Sequence, residues 1–191
     1  MVHPYDAQTP DVVVDCVETL GLRCDLRLIP LNSYENRVYQ VGLEDTTPVI
    51  AKFYRAGRWR DEQIEEEHAF ALELIEHDIS VVAPMTIAGQ SLHRALNQRF
   101  SLFPRRGGHP PELDNPDHLY RLGQTLGRIH RVGAAKPFAH RLALEPQRMV
   151  TDSRLFLAAE HVPEDLKVAY ATLAEDSDRL ARTLTADMTA A

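Results

Sequence analysis

The sequence predicts an α+β fold in which an antiparallel, strand-rich half with one central helix precedes a helical half. Three observations lead there. Strand-like runs with period-two alternation fall between Cys24 and Phe103, with one helical stretch among them. Pro104-Arg105-Arg106-Gly107-Gly108 then breaks every regular pattern. Beyond it Leu119, Leu122, Leu126 and Ile129 recur at helical spacing, and 163–184 reads as a second long helix.

Taken in order, Thr9-Pro10-Asp11 opens a short helix, with a capping threonine and proline in the first turn. Val12, Val13, Cys16, Val17 and Leu20 form its buried side, and Gly21 stops it. From Cys24 to about Leu43 the residues suit strands, interrupted by the polar loop Asn32-Ser33-Tyr34-Glu35-Asn36. Glu44 to Pro48 is a hairpin connection into a third strand, Val49–Tyr54. Alternation there puts Val49, Ala51 and Phe53 on one face and Ile50, Lys52 and Tyr54 on the other. A helix follows over about 60–77, then strands at 80–83 and 100–103 flanking a weaker one at 85–87.

The chain has 191 residues, 44% hydrophobic and 26% charged, with a formal net charge of −7. That is ordinary for a globular protein and argues against a general nucleic-acid binder, which would carry a basic face. No basic segment followed by an apolar core opens the sequence, and no apolar run is long enough to span a membrane, so a cytoplasmic protein is expected. Cys16 and Cys24 have no second pair to complete a zinc site and read as reduced thiols.

The chemistry concentrates in the strand-rich half. On a wheel of about 100° per residue, Glu67 lies in the apolar stripe of Ile64, Ala71, Leu74 and Ile75, whereas Glu62, Glu65, Glu66, Glu73 and Glu76 lie opposite. An inward carboxylate is costly unless a cation meets it, and Lys52 on the preceding strand is the natural partner. The pair reads either as a device that aims an ammonium at nucleotide phosphates or as a structural ion pair. Likewise, Ser33, Tyr34 and Asn36 offer hydroxyls and backbone amides for phosphate, or simply make a polar hairpin. Phe100 to Pro104 is either a hinge whose backbone meets a nucleobase or a strand ending in a turn. Neither G-x-G-x-x-G nor G-x-x-x-x-G-K-[ST] occurs.

In their order, LNSYENRVYQV, AKFYRAGRW, DEQIEEEHAFALELIEHDISVVAP, FSLFPRRGG and LGRIHRVGAAKPFAHR resemble the stress response kinase A family. These are bacterial cytoplasmic Ser/Thr protein kinases of the aminoglycoside-phosphotransferase-like group. The resemblance runs over about 9–170 and implies a protein-kinase-like fold: a nucleotide-binding N-lobe over 1–104, then the hinge exit and first helices of an incomplete helical C-lobe over 105–191. It implies that Ser33 and Tyr34 contact ATP, Lys52 binds its phosphates, Glu67 orients Lys52, and the backbone around Phe103 and Arg105 meets adenine. ATP with Mg²⁺ and the Ser/Thr side chains of a protein would be the reactants, without nucleic acid or membrane.

One departure stands out. The family's His-Gly-Asp-x-His-x-Gly-Asn loop is absent, and none of Asn32, Asn36, Asn97 and Asn115 has an aspartate five residues before it. The general base and the metal ligands are therefore expected in a missing C-terminal part, and the chain alone is expected to transfer no phosphate. The alternatives are a truncated pseudokinase acting as a nucleotide- or partner-binding module, and a small-molecule kinase of aminoglycoside or choline type. Self-association through the exposed Leu119–Ile129 stripe is expected too. His130 reads as a packed histidine on that stripe, His68 as a boundary residue, and Trp59 as an anchor for the acidic helix.

Overall fold

The computed structural model describes residues 8–186; the polar tail beyond them and the first seven residues lie outside the description. The described chain forms two compact units that divide between Arg141 and Leu142.

The first unit opens with α1 (Pro10–Glu18), capped by Thr9, whose side chain accepts from Val12 N. Gly21 leaves the helix at a φ of +79°. Three strands follow, β1 (Cys24–Leu31), β2 (Arg37–Leu43) and β3 (Val49–Phe53), then α2 (Asp61–Glu76), β4 (His93–Ala95), β5 (Gln98–Pro104) and α3 (Pro116–Gly133). The strands make one antiparallel sheet in the order β1-β2-β3-β5-β4.

The alternation expected in β3 is observed. Val49, Ala51 and Phe53 are buried and join Val13, Cys16 and Val17 of α1 with Val41, Leu43, Phe100 and Leu102 in the main core. So α1 covers that face of the sheet. The other face carries Lys52, flanked by Val38 of β2 and Ser101 of β5. Cys16 and Cys24 are free and buried, and burial pushes both thiols up to about 11.

β1 contains a bulge: its register shifts between Cys24 and Leu28, with Leu26 at a φ of 65°. The bulge lays the Asp25 carboxylate against Gly42, leaving no room there for a Cβ.

Several expectations need correction. Residues 80–83 form no strand, although Ile79, Ala83 and Pro84 are buried; the segment touches the sheet through Met85 N, which donates to Leu102 O at 2.7 Å. The missing partner of β5 is instead β4, joined to it by the two-residue turn Leu96-Asn97, both at positive φ. On α2 the buried residues are Gln63, Ile64, His68 and Leu74, while Ile75 is 48% exposed.

Helix α3 packs on the end of α2, where Val132 meets Leu74 and Ile79. Arg128 donates to the carbonyls of His77 and Asp78 at 3.1 and 2.8 Å, supplying the positive charge that the last turn of α2 lacks. Leu119, Leu122 and Leu126 are 41–46% exposed, and His130 is exposed rather than packed.

The second unit holds a single wide turn (Gln147–Asp152), α4 (Ser153–Glu160), a short tight turn (Glu164–Leu166) and α5 (Lys167–Ala186). The helix expected from Pro163 thus begins at Lys167. Thr151 donates to Asp178 at 2.7 Å and accepts from Arg182 at 2.7 Å, tying the wide turn to α5. Among the described residues no helix is long and apolar enough to cross a membrane.

Candidate nucleotide site

Lys52 and Glu67 meet. Lys52 Nζ lies 3.4 Å from Glu67 Oε1, across the gap between β3 and α2. The contact follows from two local rules: strand alternation sends Lys52 away from the α1 core, and helical spacing sets Glu67 three residues after buried Ile64. The Lys52 side chain is 24% exposed and that of Glu67 40%. Desolvation of the carboxylate is therefore small, and a pair this open contributes about 0–1 kcal/mol. Stability alone does not explain the arrangement.

Around the ammonium the walls are aromatic. Lys52 Nζ stands 5.0 Å from the centroid of the Tyr54 ring and 6.0 Å from that of Phe103. Behind them lies a polar relay that sequence reasoning missed. Tyr54 Oη and His68 Nε2 are 2.8 Å apart, and His68 Nδ1 is 2.9 Å from Ser91 Oγ. His68 is 2% exposed, so it is an interior residue and not a boundary one. Burial pulls its pKa down to about 4, against a weaker upward pull from Glu67, with Lys52 and His93 adding to the fall. The imidazole is neutral at pH 7. Burial likewise pushes the Tyr54 phenol above its usual range.

The Asn32–Asn36 loop is fastened from below. Glu35 accepts from Trp59 Nε1 at 2.5 Å and from Arg58 Nε at 3.1 Å, and Asn36 Oδ1 accepts from Arg55 N at 3.4 Å. Burial would raise the Glu35 carboxyl, yet the bonds from Trp59 and Arg58 hold it below its ordinary value. Ser33 is half-buried and Tyr34 fully exposed beside this anchor. Trp59 does anchor the start of α2: its carbonyl accepts from Arg99, which also pairs with Asp61 in the first turn.

Phe103 is half-buried on β5 opposite Ile50, its ring edge-on to His68. Arg105, just past the strand, is exposed and donates to Gln40 Oε1 at 3.2 Å. The structure thus brings Lys52, Glu67 and Phe103 into one neighbourhood. Ser33 and Tyr34 sit on the loop that Glu35 fastens to Trp59 at the start of α2.

Two further residues were not foreseen. Arg141 Nη1 donates to Glu67 Oε2 at 2.9 Å. Glu66, expected to be solvated, accepts from the backbone amides of Ala139, His140 and Arg141. The only signal available for either was the FAHR stretch itself, which carries no periodicity. A cavity of about 430 Å³ lies along α2 between Phe70, Glu73, Val132 and Phe138, and no expected site residue lines it. Among the described residues no group of three or more His, Cys, Asp or Glu side chains could hold a metal ion.

The model of the phosphotransferase enzyme family matches residues 27–190. The chain is 41% identical over 162 residues to stress response kinase A of Escherichia coli (strain K12), covering 84% of this chain and 49% of that protein. It is 38% identical over 168 residues to the serine/threonine protein kinase RdoA of Salmonella typhimurium, again over 84% of this chain and 49% of the relative. The chain thus spans about half the length of the curated relatives it matches. Among solved structures it is similar to a microcompartment-associated aminopropanol kinase (TM-score 0.63, 20% identity, 87% of this chain and 55% of that one). It is also similar to an amicoumacin kinase in complex with AMP-PNP, Ca²⁺ and its ligand (TM-score 0.61, 20% identity, 86% and 52%). At that identity the two structures speak to the fold alone, which they place with the kinase-like phosphotransferases.

Proposed function

The chain belongs to the phosphotransferase enzyme family, and from that premise we propose that its sheet-bearing unit binds ATP for a kinase of the stress response kinase A type. In this reading residues 1–104 are the nucleotide lobe, and 105–191 carry the hinge exit and the first helices of a helical lobe. The acceptor is the Ser or Thr hydroxyl of a protein, as the names of the relatives suggest.

The observation that carries the reading is the Lys52–Glu67 contact. An ammonium held loosely by one carboxylate oxygen, and walled by Tyr54 and Phe103, is poised to exchange part of that pairing for phosphate oxygens. Glu67 sets its direction. The loop bearing Ser33 and Tyr34 offers backbone amides and a hydroxyl to the phosphates, with Glu35 holding its base. The backbone of Phe103 to Arg105 runs out of β5 where its pairing with β3 ends, and in this reading it meets a nucleobase edge there.

These residues bind and orient. Among the described residues no group of three or more His, Cys, Asp or Glu side chains gathers to hold Mg²⁺. None is assigned to take the acceptor's proton, and the chain alone is expected to bind nucleotide without transferring phosphate. Radiolabelled ATP with this chain should therefore give no labelled product.

Titration with Mg·AMP-PNP by calorimetry tests the site. The parent chain should bind, and Lys52→Ala should weaken binding tenfold or more, a loss of about 1.4 kcal/mol. Equal affinity in the two, or no binding by a folded parent, would remove the nucleotide reading. A chain that binds nucleotide and never transfers it, even when continuous with a helical lobe, would favour the non-catalytic module instead.

A further inference from the structure

We propose that Arg141 is a positioning residue for the Lys52–Glu67 pair, presented by a strap (residues 136–141) that a single stripe of α2 holds in place. The proposal rests on the reading of Lys52 as the phosphate-binding cation.

The strap is fastened along its length. At its start Lys136 Nζ pairs with Glu73 at 3.1 Å, and Phe138 meets the Phe70 ring edge-on at 5.2 Å. At its end three successive backbone amides, of Ala139, His140 and Arg141, converge on the Glu66 carboxylate at 2.6, 2.8 and 2.6 Å. Gln63 donates to the carbonyl of His140 at 2.9 Å. Residues 63, 66, 70 and 73 recur at helical spacing, so one stripe of α2 is given over to the strap. The acidic face that looked merely solvated has a defined occupant.

What the strap delivers is a guanidinium. Arg141 Nη1 takes Glu67 Oε2 at 2.9 Å while Lys52 takes Oε1 at 3.4 Å. The guanidinium also lies 4.5 Å from the Trp59 ring centroid, and Trp59 in turn holds Glu35 beneath the Ser33 loop. Arg141 therefore touches both supports of the site, the carboxylate that directs Lys52 and the indole that anchors the loop. A carboxylate with one oxygen claimed by a permanently charged, planar partner has its rotamer set and only the other oxygen to give. Lys52 is then oriented without being captured, and its remaining protons stay available to an anion.

The chain has three lysines, at 52, 136 and 167, so reductive dimethylation with ¹³C-formaldehyde gives three resolvable side-chain signals apart from the α-amine. Arg141→Gln should move the Lys52 signal and leave those of Lys136 and Lys167 in place. In a Glu67→Gln background the same substitution should move the Lys52 signal far less, because the effect passes through that carboxylate. Mg·AMP-PNP affinity should fall about fivefold or more in Arg141→Gln, and by less than twofold once Glu67 is already Gln. An unmoved Lys52 signal, an equal shift in both backgrounds, or a Lys136 signal that moves along with Lys52 because the whole strap has lifted, would each overturn the proposal. If Arg141→Gln does not fold, Arg141→Lys keeps the charge but loses the planar fork, and it must itself shift the Lys52 signal; an unmoved signal overturns the proposal. A Lys52 signal that responds as expected, in a chain whose nucleotide affinity ignores Lys52, supports the positioning and sinks only the nucleotide reading.

Discussion

Val49, Ala51 and Phe53 on one face of β3 are at most 4% exposed and packed among aliphatic and aromatic side chains, whereas Lys52, between two of them, keeps 24% of its side chain open and meets Glu67, Tyr54 and Phe103. One short strand therefore separates two jobs. The α1 side holds the sheet together by apolar burial, and the α2 side holds a charge at a chosen place for little net stability. Changes on the first face should cost stability, and changes on the second should cost binding.

The largest effect is expected on the packed face. Phe53 stacks on Phe100 with centroids 5.3 Å apart and meets Tyr39 edge-on at 6.0 Å. Phe53→Ala should destabilise the first unit by about 3–5 kcal/mol in urea unfolding. A cost under about 1 kcal/mol would break the contrast at its stronger end.

On the α2 side the stability at risk is pH-dependent and belongs to His68, not to Lys52. The folded imidazole titrates at about 4, and an unfolded one at about 6.5. Between those values the unfolded chain holds the extra proton, so stability falls as pH drops through the window, by on the order of 3 kcal/mol in all. Above the unfolded value this contribution is fully present. Denaturant midpoints measured from pH 7 to 4 should fall accordingly, and His68→Asn should flatten that dependence. An unchanged slope in the variant would take His68 out of the account.

Lys52→Ala should then shift stability by no more than about 1 kcal/mol while weakening nucleotide binding. A large stability loss would mean that both faces of β3 serve the fold. The smallest effect is local. Burial would raise the Glu66 carboxyl, but the amides of Ala139, Arg141 and His140 hold it below its ordinary value. Glu66→Gln should speed hydrogen exchange at those three amides and leave the sheet amides as they were. Equal exchange would show that the strap needs no carboxylate.

Much of the first unit could be read residue by residue. The cap and stop of α1, the hairpin at 44–48, the span of α2 and the face of Lys52 all follow from spacings of a few residues. Errors arose where local signals pointed the wrong way. The run at 80–83 is apolar enough for a strand, yet it joins no ladder, and of its residues only Ala83 is buried while Val82 is 48% exposed. The hairpin of β4 and β5 turns on Leu96-Asn97 at positive φ, with no glycine to announce it. Ile75 and His130 fit apolar stripes on a wheel and lie exposed, because a wheel does not say where the neighbouring element ends.

By itself the sequence determined α1, the first three strands and α2, the side of the sheet on which Lys52 stands and the turn of α2 that offers Glu67, since each depends on backbone periodicity acting over a few residues. Tertiary structure alone decided that Glu66 receives three amides from residues 73–75 positions away, that Arg141 shares Glu67 with Lys52, and that His68 is buried between Tyr54 and Ser91. Those contacts join segments with no common period. Their partners are selected by packing and by the demand that polar groups away from water find one another.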